Sequence, residues 1–251
     1  MFRSRERCEP DESWQHLVSW FIGTSFSPDS SSMAPPVIVQ PRAAATASLI
    51  FLHGLGDSGH GWADSFRALS LKHIRCICPH APQKPVTLNG GMVMPSWFDI
   101  QGLQPSSPED EAGIKEASNE LQQLINKEVS EGIPAEKIVI GGFSQGGSLA
   151  LYTAFASNIK VGGVLGLSTW LPLNKYFTDD SNPKYNTSVP VLQCHGESDP
   201  MVSYRWGQAT RDIIQSFNPN IQFKSYSNMG HSSCNQEMHD VKVFLEEVLK
   251  Q

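Results

Sequence analysis

Residues 137–151, Lys-Ile-Val-Ile-Gly-Gly-Phe-Ser-Gln-Gly-Gly-Ser-Leu-Ala-Leu, contain a pattern of strand, tight turn and helix. The apolar run 138–140 predicts a buried strand, and the residues from Ser148 onward predict a helix. Between them stands Gly-x-Ser-x-Gly, a motif that requires this context. A serine at the apex of such a turn has strained backbone geometry, so its neighbours two residues away must lack a Cβ. Because helix N-termini favour developing negative charge, Ser144 is the candidate nucleophile.

Further apolar runs alternate with helical patterns on both sides of this turn. The predicted strands are 48–53, 74–78, 161–167, 189–195 and 221–226, and the predicted helices are 62–71, 204–217, 236–249 and one that Ser107 caps and Gly132 ends. Such alternation is typical of an α/β fold with a mostly parallel central sheet and helices on both faces. Residues 79–95 form a long, proline-rich connection, which we expect to be a lid or a binding loop.

Two later residues could activate the serine. A serine hydroxyl is a poor nucleophile until a base takes its proton, and the base needs a carboxylate to orient it. On this architecture the chain order is Ser, then Asp or Glu, then His, each after a strand. Asp199 and His231 meet this rule. Glu197 is the alternative carboxylate, and His239, the other histidine after Asp199, falls inside the last predicted helix.

An oxyanion hole on such a fold uses the N–H after the nucleophile and one from the loop after an early strand. These donors are Gln145 and a residue of 53–56. Two other groups of residues could suggest a metal site: His231, Cys234 and His239, or Cys76, Cys78 and His80. Neither has the spacing of established zinc sites, so we expect no metal and no cofactor.

Composition excludes several classes of protein. The chain has 251 residues, 39% of them hydrophobic and 18% charged, which is typical of a soluble globular domain. A net charge of −6 argues against nucleic-acid binding. No apolar run is long enough to span a bilayer. Five scattered cysteines favour reduced thiols, and hence a cytoplasmic protein, over a disulfide framework.

Residues 1–32 differ from the rest of the chain. Arginines alternate with polar residues, acidic residues follow, and only then comes the short apolar run 17–22. Signal peptides lead directly from basic residues into an apolar core, and transit peptides are poor in acids, so neither fits. We expect an N-terminal extension at 1–32, disordered or loosely docked, followed by one domain at 33–251.

Several motifs together closely resemble those of the acyl-protein thioesterases, a group in the phospholipase/carboxylesterase branch of the α/β-hydrolases. They are Phe51–Asp57, Pro95–Asp99, Gly141–Gly147, Trp170–Leu173, Gln193–Gly196 and His231–Cys234. The resemblance runs from about Val37 to the C-terminus. It implies the α/β-hydrolase fold, Ser144, Asp199 and His231 as a catalytic triad, and the N–H groups of Leu55 and Gln145 as the oxyanion hole.

The resemblance further implies hydrolysis of long-chain S-acyl thioesters on proteins, with lysophospholipids and simple esters as additional substrates. An acyl channel is expected beneath the loop 85–88, lined by Val86, Leu88, Trp170, Met201 and Val202. Thr169 stands where close relatives carry Cys, and we expect it to touch the channel wall at most. We expect a monomer or weak homodimer. Peripheral contact of the protein with a membrane stays open. The competing functions are a general carboxylesterase or lysophospholipase and a binding module without chemistry.

Overall fold

The computed structural model describes residues 34–104 and 106–250, so the expectations for residues 1–32 lie outside it. The strands are β1 (Val37–Val39), β2 (Ala47–Leu52), β3 (Ile74–Cys78), β4 (Gln83–Val86), β5 (Met92–Pro95), β6 (Ile138–Phe143), β7 (Gly163–Leu167), β8 (Val191–Gly196) and β9 (Ile221–Tyr226). The helices are α1 (Gly59–Leu69), α2 (Glu111–Ser130), α3 (Gln145–Ala156), α4 (Asn174–Thr178), α5 (Tyr204–Phe217) and α6 (Asn235–Val248).

Seven strands form one sheet in the order β1-β3-β2-β6-β7-β8-β9. β1 pairs antiparallel with β3, and all the other pairs in this sheet are parallel. The prediction of a mostly parallel α/β sheet is therefore confirmed. The antiparallel edge strand β1 was not predicted, because an apolar run of three residues is too short to identify a strand.

Strands β2, β7 and β8 are buried along their whole length because both faces of the sheet are covered. In β2, Ile50 and Leu52 pack with side chains of α2 and α3 on one face. Leu49 and Phe51, which alternate with them, pack with side chains of α1 and α6 on the opposite face. The prediction of helices on both faces is confirmed.

One local prediction was wrong. Helix α2 begins at Glu111 and is capped by Asp110, whose Oδ1 accepts the N–H of Gly113 at 2.9 Å; Ser107 lies in the preceding loop. Both residue types cap helices well, so the sequence alone did not separate them. The connection 79–95 is largely a hairpin of β4 and β5. In the described part of the chain, no helix has the length and apolar character needed to cross a membrane.

Candidate active site

Ser144 occupies the turn between β6 and α3 with φ 52° and ψ −121°, a backbone conformation that L-residues rarely adopt. The two flanking glycines make the turn sterically feasible. A Cβ at Gly142 would lie 2.4 Å from the carbonyl carbon of Gly146, and a Cβ at Gly146 would lie 2.3 Å from the carbonyl oxygen of Leu52. The turn therefore tolerates no side chain at either position.

Ser144 and His231 are hydrogen-bonded across the end of the sheet. His231 Nε2 lies 3.0 Å from Ser144 Oγ, although the residues are far apart in sequence. His231 Nδ1 lies 2.8 Å from Asp199 Oδ2. A carboxylate only accepts, so Nδ1 carries the proton and Nε2 can accept the proton of the serine.

Asp199 is held in a turn after β8. Its Oδ1 accepts the N–H groups of Met201 and Val202, both at 2.9 Å, which leaves Oδ2 for His231. The Asp199 carboxylate is fully shielded from solvent, whereas Glu197 is exposed. His239 is exposed on α6. The structure thus brings together Ser144, Asp199 and His231 and leaves the two alternative residues outside the group.

The loop after β2 lies against the nucleophile. A Cβ at Gly54 would lie 3.4 Å from the Cβ of Ser144, so the backbone of this loop approaches the serine closely. Within residues 34–104 and 106–250, the N–H groups of Leu55 and Gln145 donate to no backbone carbonyl. Gln145 is the first residue of α3, where N–H groups have no partner inside the helix. Both groups are available to an oxyanion.

The side chain of Gln145 holds the segment that follows β5, a role that the sequence analysis did not predict. Its Nε2 donates to Ser96 Oγ at 2.9 Å and to the carbonyl of Phe98 at 2.7 Å. Its Oε1 accepts the N–H of Trp97 at 3.1 Å. No local pattern signals such contacts, because the two segments are far apart in the chain.

His53 fixes the start of the loop that contains Leu55. Its Nε2 accepts the N–H of Ala81 at 3.0 Å, so its Nδ1 carries the proton and donates to the carbonyl of Gly54 at 2.7 Å. Burial lowers the pKa of His53 to about 4, with a smaller lowering from the nearby His80. The ring is therefore neutral at physiological pH.

A cavity of about 260 Å³ lies between the loop 98–110, the segment after β7 and helix α5. Its apolar lining includes Ile100, Leu103, Ile114, Trp170, Trp206 and Ile213. Two wall residues are connected to the turn at Ser144. The carbonyl of Phe98 accepts a hydrogen bond from the side chain of Gln145, the residue after Ser144. Trp170 follows Thr169, whose hydroxyl donates to the carbonyl of Ser144 at 2.7 Å.

Of the five residues expected to line an acyl channel, Trp170 lines this cavity and the other four do not. Val86 and Val202 are buried, at 0% and 2% exposure. Leu88 and Met201 are partly exposed, at 37% and 50%. The cavity is instead built by residues after Trp97 and by α5, which the sequence analysis did not select. Among the described residues, no group of three or more His, Cys, Asp or Glu side chains could hold a metal ion.

Comparison with known proteins gives consistent matches over nearly the whole chain. Residues 33–249 match the family model described as Phospholipase/Carboxylesterase. An acyl-protein thioesterase 1 of Neurospora crassa is 41% identical over 230 residues, which are 88% of this chain and 94% of the relative. An acyl-protein thioesterase 1 of Cryptococcus neoformans is 43% identical over 230 residues, 84% of this chain and 96% of the relative.

A solved structure is similar as well. The crystal structure of acyl-protein thioesterase 2 from Zea mays superposes with a TM-score of 0.74 at 32% sequence identity. The match covers 85% of this chain and 98% of the maize chain. The likeness therefore extends to the fold as a whole.

Proposed function

The chain belongs to the phospholipase/carboxylesterase family of hydrolases, and from this membership we propose that it cleaves long-chain S-acyl thioesters from protein cysteines. Ser144 is the nucleophile, His231 the general base and Asp199 the carboxylate that orients His231. The observation that carries the proposal is the pair of hydrogen bonds of His231, at 3.0 Å to Ser144 and 2.8 Å to Asp199. Acyl-protein thioesterases among the relatives support the choice of substrate.

In the first half of the reaction, His231 Nε2 accepts the proton of Ser144 Oγ, and Oγ attacks the carbonyl carbon of the thioester. The negative charge that develops on the carbonyl oxygen is stabilised by the N–H groups of Leu55 and Gln145. When the tetrahedral intermediate collapses, the carbon–sulfur bond breaks and the cysteine leaves with the proton from His231. A thiolate is stable enough to leave before this proton transfer is complete, so thioesters are favoured substrates.

In the second half, His231 takes a proton from water, and the oxygen of that water attacks the acyl carbon on Ser144. Collapse of the second intermediate breaks the bond to Ser144 Oγ, which recovers its proton from His231. The products are a free fatty acid and the regenerated serine. Asp199 stabilises the imidazolium form of His231 in both halves, because its carboxylate is buried and hydrogen-bonded.

The apolar lining of the cavity around Trp170 supports a substrate with an apolar acyl group. This lining combines the aromatic rings of Trp170 and Trp206, which meet edge to face with centroids 6.4 Å apart, with aliphatic side chains. Each methylene buried there contributes roughly 0.8 kcal/mol to binding. Long acyl chains should therefore be preferred over short ones, in contrast to a site for small esters.

The proposed function also includes the molecules that the protein acts on or contacts. S-acylated proteins are the main substrates, and lysophospholipids and small esters are additional ones. The hairpin of β4 and β5 supports peripheral contact with membranes, because Met92 and Val93 expose 52% and 61% of their surface at its end. The cytoplasmic location and the monomeric or weakly dimeric state stay predictions.

A chain-length series tests the choice of substrate. We expect kcat/KM of the wild type to rise from acetyl to octanoyl to palmitoyl thioesters of one soluble peptide. Leu103→Asp, which places a charge in the cavity lining, should flatten this rise and spare acetyl turnover. Leu88→Asp is the matched control, because Leu88 lies outside the lining. A flat profile in the wild type would contradict a long-chain acyl site and would favour the general carboxylesterase.

Labelling tests the nucleophile separately from the substrate. A fluorophosphonate probe should modify the wild type once per chain and leave folded Ser144→Ala unmodified. Modification of another serine in that variant would refute the assignment of Ser144, whatever the chain-length profile shows. His231→Ala should lose about as much activity as Ser144→Ala, because members of a triad act as a unit.

A further inference from the structure

His195 lies at the carboxyl end of β8, directly before the turn that contains Asp199, and is completely buried. Its Nε2 lies 2.8 Å from the carbonyl oxygen of Val202. A carbonyl oxygen can only accept, so Nε2 carries a proton and donates it. The ring therefore holds the far end of the Asp199 turn.

The other ring nitrogen of His195 is enclosed by helix α5. Within the described part of the chain, Nδ1 has no hydrogen-bond partner. A Cβ at Gly207 would lie 2.5 Å from this nitrogen, so the helix backbone is pressed against the ring. Burial lowers the pKa of His195 further than the bond to Val202 and the nearby Asp199 raise it. The ring is fixed as one neutral tautomer with its proton on Nε2.

Val202 connects this histidine to the carboxylate. The N–H of Val202 donates to Asp199 Oδ1 at 2.9 Å, while its carbonyl accepts from His195. The backbone of Val202 is thus fixed from both sides. If the bond from His195 were lost, the turn could shift. The N–H groups of Met201 and Val202 would then no longer hold Oδ1 of Asp199.

We propose that His195 is a positioning residue, which fixes the turn 199–202 so that Asp199 presents Oδ2 to His231. The inference rests on the proposed function of the triad. His195 is buried and its donor is bonded to Val202, so it touches no substrate. Its Nε2 is 3.6 Å from Asp199 Oδ2, beyond hydrogen-bond distance, so it acts on the carboxylate through the turn.

The test compares two substitutions of His195. His195→Leu keeps an apolar volume but removes the donor, and His195→Gln retains an N–H that can reach the Val202 carbonyl. With a soluble thioester, we expect His195→Leu to lower kcat about 100-fold with little change in KM, and His195→Gln to recover most of that loss.

A further readout separates positioning from stability, because it reports the bond between His231 and Asp199 directly. In His195→Leu, the downfield proton resonance of His231 Nδ1–H should move upfield or vanish at a temperature far below unfolding.

His73 offers a matched control. Its Nε2 lies 2.8 Å from the carbonyl oxygen of Leu249, the same kind of bond at a place remote from the triad. His73→Leu should lower the melting temperature and leave kcat, KM and the resonance unchanged. If His195→Leu behaved like His73→Leu, the positioning role would be refuted and His195 would be a structural residue.

A measurement on the wild type covers the case in which His195→Leu does not fold. Long-range proton–nitrogen spectra at pH 7.5 should show His195 as the neutral tautomer with its proton on Nε2. A neutral ring with its proton on Nδ1 would overturn the proposal, because Nε2 could then not donate to Val202. The spectra do not depend on turnover. Should Ser144→Ala remain active, the proposed function would fail while the contact of His195 with the turn could still be judged.

Discussion

The hydroxyl of Thr169 donates a hydrogen bond to the backbone carbonyl of Ser144 at 2.7 Å. The same carbonyl accepts the N–H of Ser148 at 3.0 Å in the first turn of α3. The side chain of Thr169 is completely buried and lies against the strained turn. The expectation that residue 169 touches only the channel wall was therefore wrong.

Thr169→Val should weaken the turn, because valine keeps the shape of threonine but cannot donate. We expect a loss of about 1 kcal/mol in the free energy of unfolding. The carbonyl of Ser144 keeps its bond from Ser148, so the turn survives, and kcat should fall several-fold. Urea unfolding and thioester kinetics check both effects. Thr169→Ser, which keeps the hydroxyl, should restore both values, and a wild-type kcat in the valine variant would contradict the prediction.

The two acidic residues after β8 should respond very differently to loss of charge. Asp199→Asn removes the acceptor that fixes the tautomer of His231, so kcat should fall by a factor on the order of 10⁴. Glu197→Gln should have kcat close to the wild type, because Glu197 is exposed and does not bond His231. Steady-state kinetics of the two variants shows which of the two carboxylates orients His231. The reverse order of activities would show that the wrong carboxylate is assigned.

Gly146→Ala should prevent the turn from forming. The new Cβ would lie 2.3 Å from the carbonyl oxygen of Leu52 and 2.5 Å from that of His53, and neither backbone group can move without disturbing β2. We expect a loss of about 3 kcal/mol in stability, together with loss of activity. The control is Gly90→Ala. Gly90 also has a positive φ, +66°, but a Cβ built there would have no atom within 4 Å. Gly90→Ala should therefore cost only the backbone strain, about 1–2 kcal/mol in the free energy of unfolding.

Stability should depend on pH through His53. The pKa of this residue is about 4 in the folded protein and 6.5 in the unfolded chain, so the unfolded chain binds the proton first as the pH falls. Between pH 7.5 and pH 5 this difference should remove about 2 kcal/mol from the free energy of unfolding. His53→Gln should lose this part of the pH dependence, measured by urea unfolding at both pH values.

The control for His53 is His239→Gln, which removes an exposed histidine. Other carboxyl and histidine groups also titrate in this range, so the informative quantity is the difference between each variant and the wild type. Equal slopes for His53→Gln and the wild type would contradict the prediction.

Residues 1–32 should be dispensable for the folded domain. All the strands and helices that form the described core lie between Val37 and Val248. A chain that begins at Met33 should keep the melting temperature of the full chain and its turnover of a soluble thioester. A large fall in melting temperature would show that the apolar run 17–22 packs on the domain.

Much of the site was predictable because it depends on local backbone geometry. Gly142 and Gly146 predict the turn at Ser144, because a Cβ at either position would clash with backbone atoms. The order of Asp199 and His231 follows from parallel strands, whose carboxyl ends meet at one edge. These are constraints that a short stretch of sequence carries by itself.

The cavity was not predictable in the same way. Leu103 and Trp206 both line it, but they come from segments far apart in the chain, and each by itself is an ordinary apolar residue. Val86 is buried outside the lining of this cavity, and an apolar residue in a strand is equally consistent with a place in the core. Contacts such as those of Gln145 with the segment 96–98 depend on long-range packing, which local patterns do not encode.

In the proposed reaction, the cavity lined by Trp170 and Trp206 also has a consequence for the end of each catalytic cycle. The fatty acid released from the serine carries the same alkyl chain that filled the cavity as part of the substrate. Every methylene that strengthens capture of the substrate therefore also delays departure of the product. We therefore expect that, for the longest chains, escape of the fatty acid from the walls around Trp170 and Trp206 is the slow step and that added fatty acid inhibits turnover.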